Sequence, residues 1–422
     1  MIAIIASICT LLVLGALLFS VECGILLAFL FKPIIDASWE ANIAGVNNLQ
    51  IVGGLFPLIV FLHIIVKKGR DFLSCPLIAV WSVYFLSSII SFVVMMSNGN
   101  YTSAIEINLR IFNGFVGYFM LQIFLNDRES FRKLLIAIIF AGCFPVVVGL
   151  YQAATGVVWR ERYTVGLLRN VGLYHDAFSI RSYVCMTITS IILYCSYFCD
   201  KNKFKRIALF VYALASIFIV YKIYSKAAFI IAFAWALIWC FFRRKIIMVP
   251  ILLLAVLAVN FISDGIVFDQ VSTLFSKETA AIDGTGPKER ALAGRAYLWN
   301  DILERWDRAD VVEKIVGVGM SAAFHNDYLR AMMTGGYLGL AVYVSLLIAI
   351  GFRIMGKLYQ SREPINVVAL MIFAMWIIDT IGLTPSIYPA YQWYVWGFIG
   401  LALRGVKGLN EHESNRNIVQ TI

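Results

Sequence analysis

Of the four histidines, at 63, 175, 325 and 412, His325 stands where chemistry is expected: it opens His325-Asn326-Asp327-Tyr328-Leu329, where a polar segment gives way to an apolar run. A near-neutral imidazole at such a boundary can take a proton from an attacking hydroxyl. Arg295, directly after Gly294, heads the same polar segment. Its guanidinium is a planar, always-charged fork that matches a phosphate-type anion. Both residues also have plainer uses, as a hydrogen-bonded helix-start histidine and as an arginine snorkelling to lipid headgroups. The pairing points to a hydroxyl losing its proton beside an anionic leaving group.

Other charged residues fall near the ends of apolar runs. Lys226 sits in a Ser225-Lys226-Ala227 turn between two such runs, with Lys222 one turn earlier. The 156–175 segment carries Arg160, Arg162, Arg169 and His175, and Arg181 follows just inside the next run. Arg160 and Arg162, flanking Trp159, read as interfacial anchors. Asp379 interrupts an apolar run, which is costly enough to need a reason: it could orient His325 or Lys226, or simply partner a structural cation. Glu106 and Arg110 are spaced as an ordinary helical ion pair. The eight cysteines lie in or beside apolar segments, so neither disulfides nor a zinc framework is implied. With no DxD-like motif in the polar loops and no nucleotide fingerprint, we expect no metal and no cofactor. Gly317-x-Gly319 lacks the strand and helix that would make it a phosphate loop.

The elements that position these residues follow from composition. The chain has 422 residues, of which 61% are hydrophobic and 14% charged, and its mean hydropathy is +0.83. That excludes an ordinary soluble protein. A helical span needs about 20 apolar residues, and the runs give about 12 spans, near 2–31, 51–66, 74–96, 105–125, 134–155, 176–199, 207–222, 226–242, 246–263, 328–352, 364–382 and 390–403. The net charge of +10 is concentrated in short clusters at 67–70, 128–133, 201–206, 243–245, 353–362 and 404–407. All of these fall on one side under this count, which marks the cytoplasm and argues against a nucleic-acid partner. The apolar N-terminal run reads as a retained span. Glu22 and Lys32 interrupt it, and a hairpin there would place the N-terminus outside. The expected organisation is transmembrane helices over 1–263, an external loop over 264–327, three more helices over 328–403 and a cytoplasmic tail over 404–422. Within the loop, Ser276 to Arg290 reads as a mobile stretch. Trp299, Ile302, Leu303 and Trp306 then recur at helical spacing, as in an amphipathic helix on a membrane surface.

Gly294-Arg295, the Gly317-x-Gly319 turn, HNDYL from His325 and the apolar helix with Gly335 and Gly339 resemble the O-antigen ligase and O-antigen (exopolysaccharide) polymerase superfamily of bacterial membrane glycosyltransferases. The resemblance implies an all-α, GT-C-like protein of the bacterial cytoplasmic (inner) membrane, with its large loop and active site in the periplasm. It implies metal-independent, inverting transfer from an undecaprenyl diphosphate-linked oligosaccharide to an acceptor glycan or glycolipid. His325 would be the base, with Arg295 beside it. Lys226, where the family usually has arginine, would hold the donor diphosphate with Arg169 and Asp379. Arg169 precedes an Asn170-Val171-Gly172-Leu173-Tyr174 turn similar to one in the family. A polymerase, with a chain-length regulator and a flippase as neighbours, is the first expectation. A ligase acting on lipid A-core or protein, and a lipid-linked oligosaccharide flippase, are the alternatives.

Overall fold

The structure, a computed structural model, describes residues 1–43, 46–199, 202–245, 247–287, 294–319 and 324–409. The chain opens with α1 (Ile2–Phe19) and α2 (Val21–Ala37). Ser20 separates them in extended backbone, its hydroxyl accepting from the Cys23 amide at the head of α2. The two helices fold back as a hairpin: Leu17 covers Gly24, where a Cβ would come within 2.4 Å of it. Asn48 beyond α2 donates to Ser7 near the start of α1 at 3.2 Å. The single span expected over 2–31 is therefore two helices, because Ser20 and Glu22 supply a helix start in the middle of the apolar run.

There follow α3 (Asn48–Leu73), α4 (Ile78–Ser97), α5 (Tyr101–Phe124), α6 (Arg128–Ala141), α7 (Cys143–Thr155), α8 (Ala177–Tyr197), α9 (Lys203–Lys222), α10 (Lys226–Phe242), α11 (Met248–Ile262) and α12 (Ile266–Ile282). Then come α13 (Arg295–Asp307), α14 (Val311–Val316), α15 (Asp327–Gln360), α16 (Pro364–Gly382) and α17 (Pro389–Arg404). Two short β-hairpins, Asn42–Ile43 with Val46–Asn47 and Tyr163–Thr164 with Leu167–Leu168, fold back the loops after α2 and α7. Among the described residues, eight helical stretches are long and apolar enough to cross a membrane. Large apolar side chains such as Leu11, Phe210, Phe233 and Leu254 point outward from the bundle, as expected where the surrounding solvent is hydrocarbon. The protein is predominantly helical, with the character of a multi-pass membrane protein.

At the centre α5 lies against α17, both buried over most of their length. Small residues let the backbones meet. A Cβ on Gly117 would sit 3.0 Å from the Trp393 Cα, and one on Gly400 would sit 2.5 Å from the Tyr118 carbonyl oxygen. The basic segments gather at one end of the bundle. Arg404 donates to the Gln122 carbonyl at 3.1 Å, the Lys407 amide to Asn126 at 2.8 Å, and Arg243 to the Arg362 carbonyl at 2.9 Å. At the other end, the 156–175 loop, the turn before α10 and the start of α15 surround a cavity.

α13 is the helix its apolar spacing predicts, but the stripe faces protein as well as solvent. Ile302 and Trp306 are buried against Phe324, Met332 and Met333, while Leu303 stays exposed. Trp299 donates its ring N–H to the Phe324 carbonyl at 3.1 Å. The expected mobile stretch from Ser276 is helical through Ile282 as the end of α12; its last part, at 288–290, lies outside the described residues, as does the tail at 410–422 with His412. Gly317 after α14 (φ 103) and Gly336 within α15 (φ 66, ψ −165) lock α14 to the bundle. A Cβ on Gly336 would lie 2.2 Å from the Ile315 carbonyl oxygen, and one on Gly317 would lie 2.4 Å from that of Thr334. Gly336 occupies a backbone region essentially reserved for glycine, and it breaks α15 into a short piece carrying Arg330 and a long one.

Gly336→Ala is expected to lower stability by about 1–3 kcal/mol from backbone strain alone, with the carbonyl clash adding to it. Gly54→Ala, at a position with open space within 4 Å, should be near neutral. Thermal unfolding of the purified variants checks this, and equal melting temperatures would show that the two backbones do not meet.

Candidate active site

The cavity at this end has a volume of about 710 Å3 and is lined from α5, the 156–175 loop, α8, the α9–α10 turn, α13, the start of α15 and the segment joining α16 to α17. Arg110, Arg162, Arg169, Arg181, Lys226, Arg295 and Arg330 all contribute to its wall, with Glu106, Asp176, Asp379 and His325. All five residues singled out from the sequence, His325, Arg295, Lys226, Arg169 and Asp379, border this one cavity.

The cations divide by whether a carboxylate already holds them. Asp379 pairs with Arg181, both almost fully buried, and also accepts from the Tyr391 hydroxyl at 2.7 Å. Of the roles open to Asp379, the structure shows the partner of a buried cation rather than a contact to His325 or Lys226. Arg181 reaches on to Ser225 Oγ at 3.3 Å. Lys226 is held by Glu278 of α12, with Tyr221 and Tyr224 binding Gln270 of the same helix. Arg110 pairs with Glu106, and Arg330 donates through Nε to Asp327 at 2.8 Å.

Arg162, Arg169 and Arg295 have no carboxylate within ion-pair distance among the described residues. Arg169 donates to the Ile223 carbonyl at 3.0 Å and Arg162 weakly to that of His175. Arg295 lies over Gly382, whose missing side chain leaves room for the guanidinium 3.1 Å from where a Cβ would be. Burial, then the charges of Arg181, Arg295 and Arg162, pull the Arg169 pKa down to about 10, with Asp176 opposing. Burial and Arg181 likewise lower that of Arg295. Such a set repels itself and favours an anion between its members. Arg162 is therefore more than an anchor: the Tyr163–Leu168 hairpin turns it into the cavity, with the Arg169 amide donating to the Arg162 carbonyl at 2.8 Å. Arg160 instead stacks on Trp39 and lies near Glu40.

His325 is half-buried and adopts a left-handed backbone, φ 48. Asn326 fixes it there by capping α15, its side chain accepting from the Tyr328 and Leu329 amides and donating to the Ile381 carbonyl. Asp327 is fully buried and bound by Arg330, Tyr343 and Ser386. Burial, then the charge of Arg295, lowers the His325 pKa below its usual value, with Asp176 opposing. That shift favours the uncharged imidazole, the form able to accept a proton. Among the described residues no group of three His, Cys, Asp or Glu side chains is placed to hold a metal ion.

No protein-family model matches the chain, and no curated protein does.

Two measurements separate the paired from the unpaired cations. Asp379→Ala strands a buried arginine and is expected to cost about 3–5 kcal/mol. Arg169→Ala relieves repulsion and should change stability by less than about 1.5 kcal/mol. Inorganic pyrophosphate should raise the unfolding temperature of the wild type and not that of Arg169→Ala. A wild type indifferent to pyrophosphate would mean that the arginines form no anion site.

Proposed function

We propose that this protein transfers glycan from a polyprenyl diphosphate-linked donor, in a bacterial membrane an undecaprenyl one, to an acceptor sugar hydroxyl. The observation that carries this reading is that His325 shares one cavity with Arg162, Arg169 and Arg295, none of which forms an ion pair with a carboxylate among the described residues. The acceptor hydroxyl gives its proton to His325 as it attacks the anomeric carbon of the donor. The bond to the diphosphate oxygen breaks, and the charge left on that oxygen is met by the arginines. Because the diphosphate is a good leaving group, the reaction needs no separate acid. A single displacement inverts the anomeric centre.

The setting agrees with a lipid-borne substrate. The cavity sits at the end of the bundle opposite the basic loops, which by the charge rule faces the periplasm, in a fold of about 12 or 13 spans. Lys226 borders the cavity and is held by Glu278 of α12, so in this reading it meets the donor as a cation whose own charge is already partly balanced. About 710 Å3 is in the usual range for small-molecule sites, enough for the reacting ends of two substrates. We favour the polymerase reading, in which the acceptor is another lipid-linked repeat unit. The ligase reading uses the same residues.

In cells lacking the gene, adding back the wild-type protein should restore long glycan chains, and His325→Ala should leave single repeats. Long chains on the polyprenyl carrier that never reach a final acceptor would identify a ligase, and a full ladder with His325→Ala would remove His325 from the mechanism. In a purified assay the rate should fall toward acid as His325 protonates, with a midpoint below 6.5. Arg295→Gln should move that midpoint upward, since it removes a positive neighbour. An unmoved midpoint would assign the titration to another group.

A further inference from the structure

The last turn of α16 touches four separate elements with four consecutive residues. Asp379 holds Arg181 of α8 and accepts from Tyr391 of α17. Thr380 Oγ1 lies 3.3 Å from the Tyr328 hydroxyl of α15. The Ile381 carbonyl accepts from the side chain of Asn326, the residue next to His325, at 3.3 Å. Gly382 faces Arg295 at the start of α13. A Cβ at Gly382 would come within 3.1 Å of Arg295 Nη1 and 3.8 Å of its Cζ. Beyond its own helix and chain neighbours, Arg295 is the only described residue within 4 Å of that point.

Adjacent positions of one turn thus hold the two groups at the centre of the site. The turn is closed by the Leu383 amide, which donates to the Asp379 carbonyl at 2.8 Å, and Asp379 and Thr380 are buried. The last carbonyls of a helix have no partner within it and carry the negative end of its dipole. They attract a guanidinium that no carboxylate holds. Arg295 comes so close only because position 382 has no side chain. Alanine there would press the guanidinium back by a few tenths of an ångström, and valine would take its place.

We propose that Gly382 is a positioning residue: by leaving the end of α16 bare, it lets Arg295 lie against the same turn that fixes Asn326, which sets Arg295 and His325 at one spacing. This rests on the glycosyl-transfer reading, in which Arg295 meets the departing diphosphate and His325 takes the proton. It adds the element that measures the distance between them.

The test uses the full-length protein in lipid nanodiscs and reads two quantities. One is the titration midpoint of His325, followed by NMR with isotope-labelled histidine and assigned by the signal lost in His325→Gln. The other is affinity for inorganic pyrophosphate. Arg295→Gln should raise the midpoint, because a positive neighbour is gone. Gly382→Val should shift the midpoint of the wild type and leave that of Arg295→Gln where it is. A substitution that merely loosened the fold would shift both alike. Gly382→Val should also weaken pyrophosphate about tenfold, the worth of one hydrogen bond to a charged group, and weaken it no further once Arg295 is replaced by glutamine. Gly382→Ala should fall between glycine and valine in both readouts, and it serves if the valine variant does not fold. An unmoved His325 midpoint, a shift that is the same with and without Arg295, or pyrophosphate bound as tightly by Gly382→Val as by the wild type would overturn the positioning role. A wild type that ignores pyrophosphate would count against the donor site instead, and the midpoints then decide the role of Gly382 by themselves.

Discussion

The end of the bundle that carries the cavity depends on one buried ion pair. Arg181 of α8 meets Asp379 of α16, and each is 2% exposed or less. Two charges removed from water and from headgroups have to find one another or unfold the region around them. Through Ser225 the pair also fixes the head of α10, and through Tyr391 it fixes α17. Four helices from distant parts of the chain are thereby held in one register. That register is what allows the 156–175 loop and the start of α15 to face each other across a space.

A second buried network does the same for His325. Asp327 is the junction of Arg330, Tyr343 and Ser386, and Tyr343 in turn accepts from Trp376 at 3.2 Å. With Asp327 immobilised and Asn326 capping the helix, His325 has little choice of backbone conformation. Its left-handed φ is held by neighbours on both sides. Among the described residues the ring has no hydrogen-bond partner, while Asn326 and Asp327 beside it are fixed; a group so placed can change its protonation state without moving that scaffold.

What could be read from the sequence was what local cost makes visible. A charge at the border of an apolar run is expensive, so His325, Arg295, Lys226, Arg169 and Asp379 stood out, and the structure brings them to one cavity. The amphipathic spacing of Trp299, Ile302 and Trp306 likewise predicted α13. Partnership over distance was not legible: nothing in spacing tells that Arg181 pairs with a residue 198 positions away, or that Lys226 meets Glu278. Arg110 and Arg330 were hidden for the opposite reason. Their carboxylates lie one helical turn away, so they look like ordinary local pairs. Arg162 needed a two-residue hairpin to turn it inward. The bend at Ser20 was foreshadowed by Glu22 and Lys32, but a long apolar run outweighs a single cap when only composition is counted.

The way the helices are laid out adds a contribution that no side chain makes. Five of them, α8, α10, α13, α15 and α17, begin at the cavity, while α9 and α16 end there. The carbonyls of the two ending helices are partly covered, that of Ile223 by Arg169 and that of Ile381 by Asn326. The starting helices direct the positive ends of their peptide dipoles toward the same space. Part of the pull on an anion is therefore carried by the backbone itself. It belongs to the order in which the helices run rather than to any residue in them.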